Sequence, residues 1–298
     1  MSINSKTSIF LSNGQQIPIF GLGTFKTQNE SEMTNLISTA LDVGYRLIDT
    51  AKFYENEHLI GNSLKTIFSE GKYKREDIFI ITKLFPFKGQ STLDVVKQQL
   101  KDLHVDYIDL LLIHFPFVPP SDDLQQWYQK PIYQQWAEFE EVHSLGLAKG
   151  LGISNFNCQM VIDLLQYCKV RPVVNEIELH IFNQQTRFIE FLKKIKVYPI
   201  AYSPMAKYTE VVKNETVTKI AQKNNASVAQ VMIAFLLQQE DIIVIPKTEK
   251  SERLQQNFDA QKLKLCEEDM QILKNLNINK RIVNVDTAPL FKGVPIFD

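Results

Sequence analysis

Eight short apolar runs alternate with longer segments of helical periodicity, and this alternation limits the possible folds more than any other property of the 298 residues. The runs lie at 20–25 (FGLGTF), 45–51 (YRLIDTA), 78–84 (IFIITKL), 107–115 (YIDLLLIHF), 148–154 (AKGLGIS), 173–179 (VVNEIEL), 197–203 (VYPIAYS) and 241–247 (DIIVIPK). Predominantly apolar runs of this length read as strands buried on both faces, the habit of parallel sheets. Segments such as SEMTNLISTALDVG and STLDVVKQQLKDLHV supply the helical crossovers that parallel strands require. Eight such units in about 250 residues fit a closed (β/α)8 barrel of the TIM type, an α/β fold. An open doubly wound sheet is the alternative and is expected to carry a dinucleotide turn. GLGTFK at 21 and GLGISN at 150 both lack the third glycine of GxGxxG. They read instead as strand ends needing close backbone approach, which weakens that alternative.

The remaining segments decorate the barrel. SIFLSNGQQIPIF, with Asn-Gly between two β-type runs, predicts an N-terminal β-hairpin. The proline-rich gap at 116–132 holds Trp127 and Tyr128 and reads as a functional loop. Extra helical patterns flank the last strand, and one more (EEDMQILKNLN) precedes an irregular C-terminal loop. Nothing resembles a linker, so residues 1–298 are expected to form one domain. A formal net charge of −1 gives no reason to expect nucleic acid or an anionic membrane as partner. The apolar runs are too short to cross a bilayer, and MSINSKTSIF lacks the apolar core of a secretory signal. Three cysteines without a CxxC pair fit unpaired thiols in a reducing, cytoplasmic compartment. The five histidines show no metal-ligand spacing, so no metal is expected.

In a barrel of this kind chemistry gathers at the carboxyl ends of the strands. Asp49 and Tyr54 follow the second run, Lys83 the third, and His114 ends the fourth. Loops begin where strands end, which accounts for some polar residues there. It does not readily account for an acid, a lysine and a histidine ending three successive apolar strands. Together with Tyr54 they suggest proton transfer to or from a carbonyl or alcohol. A phenol with a pKa of about 10 is a poor acid near neutrality, and an adjacent ammonium is expected to lower that value. An aspartate would hold the lysine in place, and a histidine could orient the carbonyl oxygen or serve as the acid itself.

RLIDTAKFYENE at 46–57, TKL at 82–84 and LLIHFP at 111–116 resemble the aldo-keto reductase family. So do GLGTFK, GISNFN, VVNEIE, AYSPM and IPKTEKSERLQQN, in order along nearly the whole chain. The resemblance implies a (β/α)8 barrel that uses NADPH/NADP+ to reduce aldehydes and ketones without metal. It places the catalytic positions at Asp49, Tyr54, Lys83 and His114, with Tyr54 as proton donor. Histidine at 114 disfavours steroid double-bond reduction, for which relatives carry glutamate.

The resemblance also assigns cofactor positions. Ser154, Asn155 and Glu176 would face the nicotinamide carboxamide, Tyr202 would stack on the ring, and Ser203 and Met205 would lie near the pyrophosphate. Thr24 belongs to the same set. Lys247, Thr248 and Arg253 match the positions that bind a 2′-phosphate, as two cations and a hydroxyl would. Gln256 and Asn257 match the adenine positions. Glu176 departs from the usual glutamine; as a charge beside the ring it is expected to favour oxidised cofactor. Phe25, Phe53, Phe85 and Phe115 are candidates for the substrate wall, although phenylalanine more often simply packs a core. HFP at 114–116, RLxQN at 253–257 and the terminal PIFD resemble yeast xylose (aldose) reductases, which suggests Asn284 as a substrate contact. The loop at 117–132 is shorter than in that group, and Trp127 is a candidate to close over the substrate from it. Aldoses or small aldehydes are the expected substrates, and a monomer or homodimer the expected assembly. Some relatives bind NADPH as structural or channel-associated proteins, which keeps a non-enzymatic alternative open.

Overall fold

The computed structural model describes residues 7–118, 129–206, 208–248, 250–283 and 297. The chain starts with the expected hairpin, β1 (Ser8–Phe10) antiparallel to β2 (Gln16–Pro18), with Ile9 opposite Ile17. Gly14 at its turn has φ +87°, a conformation that suits a residue without Cβ. Eight parallel strands then follow the eight apolar runs: β3 (Leu22–Gly23), β4 (Leu47–Asp49), β5 (Phe79–Leu84), β6 (Leu110–Ile113), β7 (Leu151–Ser154), β8 (Val174–Glu178), β9 (Tyr198–Tyr202) and β10 (Ile243–Val244). They pair in sequence order from β3 to β10.

The ends of this sheet meet. Gly21 N–H donates to Val244 O at 3.0 Å, Val244 N–H to Ile19 O at 2.8 Å, and Gly23 N–H to Pro246 O at 3.1 Å. First and last strands are thereby joined and the barrel closes, so the open-sheet alternative is excluded. The paired strands are shorter than the apolar runs, most clearly β3 and β10. Apolar character continues past the paired residues because the flanking turns are buried too.

The helices are α1 (Glu30–Val43), α2 (Glu57–Ser69), α3 (Thr92–Leu103), α4 (Ile132–Ser144), α5 (Cys158–Tyr167), α6 (Thr186–Lys194), α7 (Tyr208–Val211), α8 (Glu215–Lys223), α9 (Val228–Leu237), α10 (Glu252–Asp259) and α11 (Glu267–Lys274). All but the one-turn α7 were expected from periodicity. Asn29, Ser91, Asn157, Asn214 and Ser227 cap their helices by accepting from a backbone N–H of the first turn. Helices pack on the outside of the barrel, where Trp136 and Phe139 of α4 are buried. Gly61 lets α2 lie against α3, since a Cβ there would stand 2.0 Å from Asp102 O.

Inside the barrel, Leu47, Phe79, Leu110, Val174 and Ile243 open their strands and pack on Ile9, Leu11 and Ile17 of the hairpin. Each buried side chain of this size contributes roughly 1.5–3 kcal/mol. The hairpin therefore floors the amino end of the barrel. The carboxyl end, on the opposite side, remains as the mouth.

Candidate active site

At the mouth the strands deliver the expected polar residues. Asp49 is the last residue of β4, Lys83 lies within β5, and His114 directly follows β6. Tyr54 ends a short 3-10 turn, Lys52–Tyr54, after β4. That turn is tied down by buried Asn56, whose Nδ2 donates to Thr24 O at 2.8 Å and Thr27 O at 3.1 Å. Glu57 opens α2 and accepts from Thr82 at 2.6 Å and Gln99 at 2.9 Å. Thr24 Oγ1 in turn donates to Asp49 O at 2.8 Å. The loop that carries Tyr54 is thus fixed to β3, β4 and β5.

Lys83 Nζ is completely enclosed. It donates to Asp49 Oδ2 at 2.6 Å and Thr50 O at 3.0 Å, and lies 3.2 Å from Glu176 Oε1 and 3.5 Å from Tyr54 Oη. Burial works against the ammonium, but Asp49 and Glu176 outweigh it and hold the Lys83 pKa above its ordinary value. Burial also raises the Tyr54 pKa; Lys83 pulls the other way without overcoming it. The expected downward push on the phenol is therefore present, but it is the smaller effect. Burial, followed by the Lys83 charge, holds His114 well below the ordinary histidine range, so its ring is neutral near pH 7. Glu176 is pushed well above the carboxylate range by burial and then by Asp49, whose carboxyl it contacts. Sequence gave no sign of that contact.

The cluster forms the base of a cavity of ≈ 600 Å³. Of the residues proposed from sequence, Thr24, Phe25, Asp49, Phe53, Tyr54, Phe85, His114, Phe115, Ser154, Asn155, Glu176, Tyr202, Ser203, Met205 and Lys247 line it. Lys83 lies beneath the lining. Thr248, Arg253, Gln256 and Asn257 are outside it, on the loop after β10 and on α10. Trp127 and Asn284 fall outside the described residues. Pro204, within the expected stretch from Ser203 to Met205, also contributes, as do Gly23, Ala206, Ile245 and Val283, which sequence did not single out.

Asn155 adopts φ +63°, unusual for a residue with a side chain, and is held there on several sides. Its Nδ2 donates to His114 O at 2.9 Å, its N–H to Glu176 O at 2.9 Å, and it accepts from Tyr202 Oη at 2.8 Å. The four phenylalanines form one wall. Phe85 stacks on Phe115 at 5.9 Å between centroids and meets Phe53 edge-on at 5.5 Å, while Phe25 lies 4.9 Å from the Tyr54 ring.

A second anchor was not foreseen. Glu178, buried at the end of β8, accepts from His180 Nε2 at 2.8 Å. It also accepts from Ile282 N–H at 2.5 Å and Val283 N–H at 3.0 Å. Val283 and Phe297 pack on the cluster of Phe85 and Phe115. Among the described residues, no group of His, Cys, Asp and Glu could hold a metal ion, and no helix is long and apolar enough to cross a membrane.

The fold and this cluster define a (β/α)8 barrel with a buried ionisable site at its carboxyl mouth. Comparison with known proteins makes the class specific. Residues 19–278 match the model of the Aldo/keto reductase family. The chain is 38% identical to aldose reductase C of Dictyostelium discoideum, over 96% of this chain and 94% of that one. It is 32% identical to an NADH-dependent D-xylose reductase of Candida parapsilosis, over 97% of both. The crystal structure of an aldo-keto reductase of Bombyx mori in complex with NADP superposes with a TM-score of 0.85 at 30% identity, covering 95% of this chain and 98% of that one. The chain belongs to the aldo/keto reductase family, and is an oxidoreductase of that NADP(H)-using class.

Proposed function

We propose that residues 1–298 form a single-domain enzyme that reduces aldehydes or ketones to alcohols with NADPH, Tyr54 giving the proton. The carrying observation is the Lys83 ammonium enclosed between Asp49 and Tyr54 at the base of the cavity. The residues present fit a nicotinamide cofactor. His114 Nδ1 and Glu176 Oε2 are buried without a hydrogen-bond partner among the described residues, and such atoms call for one from a ligand. Ser154, Asn155 and Glu176 would hold the carboxamide, with Thr24 and Tyr202 beside it. Ser203 and Met205 would lie along the phosphates, Lys247, Thr248 and Arg253 at the 2′-phosphate, and Gln256 and Asn257 at the adenine.

NADPH, when bound, supplies the hydride that the carbonyl carbon takes. Tyr54 transfers its phenolic proton to the carbonyl oxygen, which becomes the alcohol. Lys83 stabilises the phenolate left behind, and Asp49 keeps Lys83 charged and in place. Neutral His114 offers its N–H to the carbonyl oxygen and orients it. The aromatic wall of Phe25, Phe53, Phe85 and Phe115 excludes water from the reacting atoms, and Trp127 and Asn284 are further candidate contacts. Substrates are aldoses or small aldehydes, and the enzyme is a cytoplasmic monomer or homodimer.

Tyr54→Phe tests the reading. It should nearly abolish oxidation of NADPH by a panel of aldehydes while NADPH still binds. Activity above about a tenth of wild type, equivalent to roughly 1.4 kcal/mol of barrier, would remove Tyr54 as donor. Wild-type protein that binds NADPH but turns over no aldehyde would favour a binding protein on the same fold.

A further inference from the structure

An ammonium has three hydrogens to donate and accepts none. Around Lys83 Nζ stand four oxygens: Asp49 Oδ2 at 2.6 Å, Thr50 O at 3.0 Å, Glu176 Oε1 at 3.2 Å and Tyr54 Oη at 3.5 Å. The two nearest take one hydrogen each. The third is contested between Glu176 and Tyr54. Whichever of these is the better acceptor wins, and for Glu176 that depends on whether it carries a proton.

Glu176 comes from β8, on the far side of the barrel from β4, yet its carboxyl contacts that of Asp49. Both are almost sealed from solvent, with 3% and 4% of their side-chain surface exposed. Two touching carboxylates beside one ammonium leave an uncompensated buried charge, which retention of one proton relieves. Other titratable groups facing Glu176 are Tyr54 from the turn after β4 and Tyr202 from β9. Neighbouring β7 presents Ser154 and Asn155, which carry no charge. Lys83 is the cation that contacts both acids, Lys247 lying elsewhere on the cavity lining.

We propose that Glu176 is a proton-holding positioning residue: as a neutral acid it leaves the third Lys83 hydrogen to Tyr54, and as a carboxylate it takes that hydrogen away. The inference rests on the reading of Tyr54 as proton donor and adds a second ionisation that governs it. Loss of the Glu176 proton removes the Lys83 contact from the phenol and adds a negative charge nearby. Both changes make Tyr54 a weaker acid. The proton lost from Glu176 goes to solvent, and no other bond changes. A glutamine at this position could not ionise, so the control exists only because this chain carries an acid.

The test compares wild type with Glu176→Gln by infrared difference spectroscopy across pH, without substrate. Wild type should show a protonated-carboxyl band at neutral pH that is absent from the variant and disappears as pH rises. A difference made only of ionised carboxylate bands at neutral pH would overturn the proposal. Should the variant not fold, Glu57→Gln protein carrying carboxyl-13C glutamate gives the same readout, because Glu57 is another buried glutamate with a raised pKa. An isotope-shifted protonated band supports the proposal, and its absence overturns it. In carbonyl reduction, the alkaline fall in kcat should begin at least about one pH unit lower in wild type than in Glu176→Gln. Coincident limbs would show that Glu176 does not govern Tyr54. The infrared readout needs no turnover, so failure of the reductase reading and failure of the proton assignment are seen separately.

Discussion

Lys83 Nζ lies 2.6 Å from Asp49 Oδ2 but 3.5 Å from Tyr54 Oη. The short contact fixes the cation and the long one lends it to the phenol. If Tyr54 gives up its proton as proposed, an ammonium held this way would tighten on the phenolate, while its position is already determined by the carboxylate.

Lys83→Met should therefore leave the phenol with a higher pKa and no stabilised conjugate base. A fall in kcat of about 10²–10⁴-fold is expected, the usual range for a positioned acid–base group. Steady-state reduction of a reactive aldehyde measures it, and a loss below about tenfold would remove Lys83 from the proton-transfer step.

The raised carboxyl of Glu176 has a stability consequence of definite sign. Its folded-state pKa lies above its unfolded value, so the folded protein holds the proton more tightly. That contribution is complete below the unfolded pKa, about 4.3, and is lost as pH rises toward the folded one. Urea unfolding of wild type and Glu176→Gln at several pH values should show a gap that grows in favour of the variant as pH increases from about 4. A gap independent of pH would mean that the carboxyl is not perturbed.

Lys247 lines the cavity and Arg253 lies outside it on α10; Lys247→Ala combined with Arg253→Ala should weaken NADPH much more than NADH. The dianionic 2′-phosphate that these two cations are proposed to meet is absent from NADH. Fluorescence titration with both cofactors decides this. Equal weakening would dissociate these residues from the 2′-phosphate.

Glu178→Gln puts an amide NH2 in place of one of the two oxygens that accept from Ile282 N–H and Val283 N–H, so that one of these bonds is lost. Val283 should be held less firmly against the cluster of Phe85 and Phe115. A rise in KM of about tenfold is expected for bulky aldehydes, with kcat for small ones little changed, the pattern of lost uniform binding. Parallel changes for large and small substrates would assign Glu178 to the barrel alone.

Gly61→Ala tests the outer layer. The added methyl would meet the backbone of Asp102 and Leu103, which are not free to yield. Overpacking of this kind costs typically 1–3 kcal/mol or more. The melting temperature should drop while activity per folded molecule is retained; an unchanged melting temperature would mean that α2 and α3 separate easily.

Much of this was legible in the chain because the relevant signals are local. The eight strands announce themselves as apolar runs, and Asp49, Lys83 and His114 as polar ends to three of them. The contact of Glu176 with Lys83 and Asp49 was not legible. It joins β8 to β4 and β5 across the barrel, and exists only once curvature and closure bring opposite strands together. The hold of Glu178 on residues 282 and 283 was hidden for the same reason, as it spans 104 and 105 positions. The net rise in the Tyr54 pKa was missed because burial, which a sequence does not print, outweighs the neighbouring charge that it does.

The hairpin that packs Ile9, Leu11 and Ile17 against the strand starts gives the barrel a sealed bottom. Everything bound at depth must then share a single doorway. Two ligands stacked in such a vessel form a queue: the deeper one enters first and departs last, and each cycle waits for the shallower to clear. Phe25 and Phe53, exposed at the rim of that doorway, would then affect the timing of exchange even without touching a reacting atom.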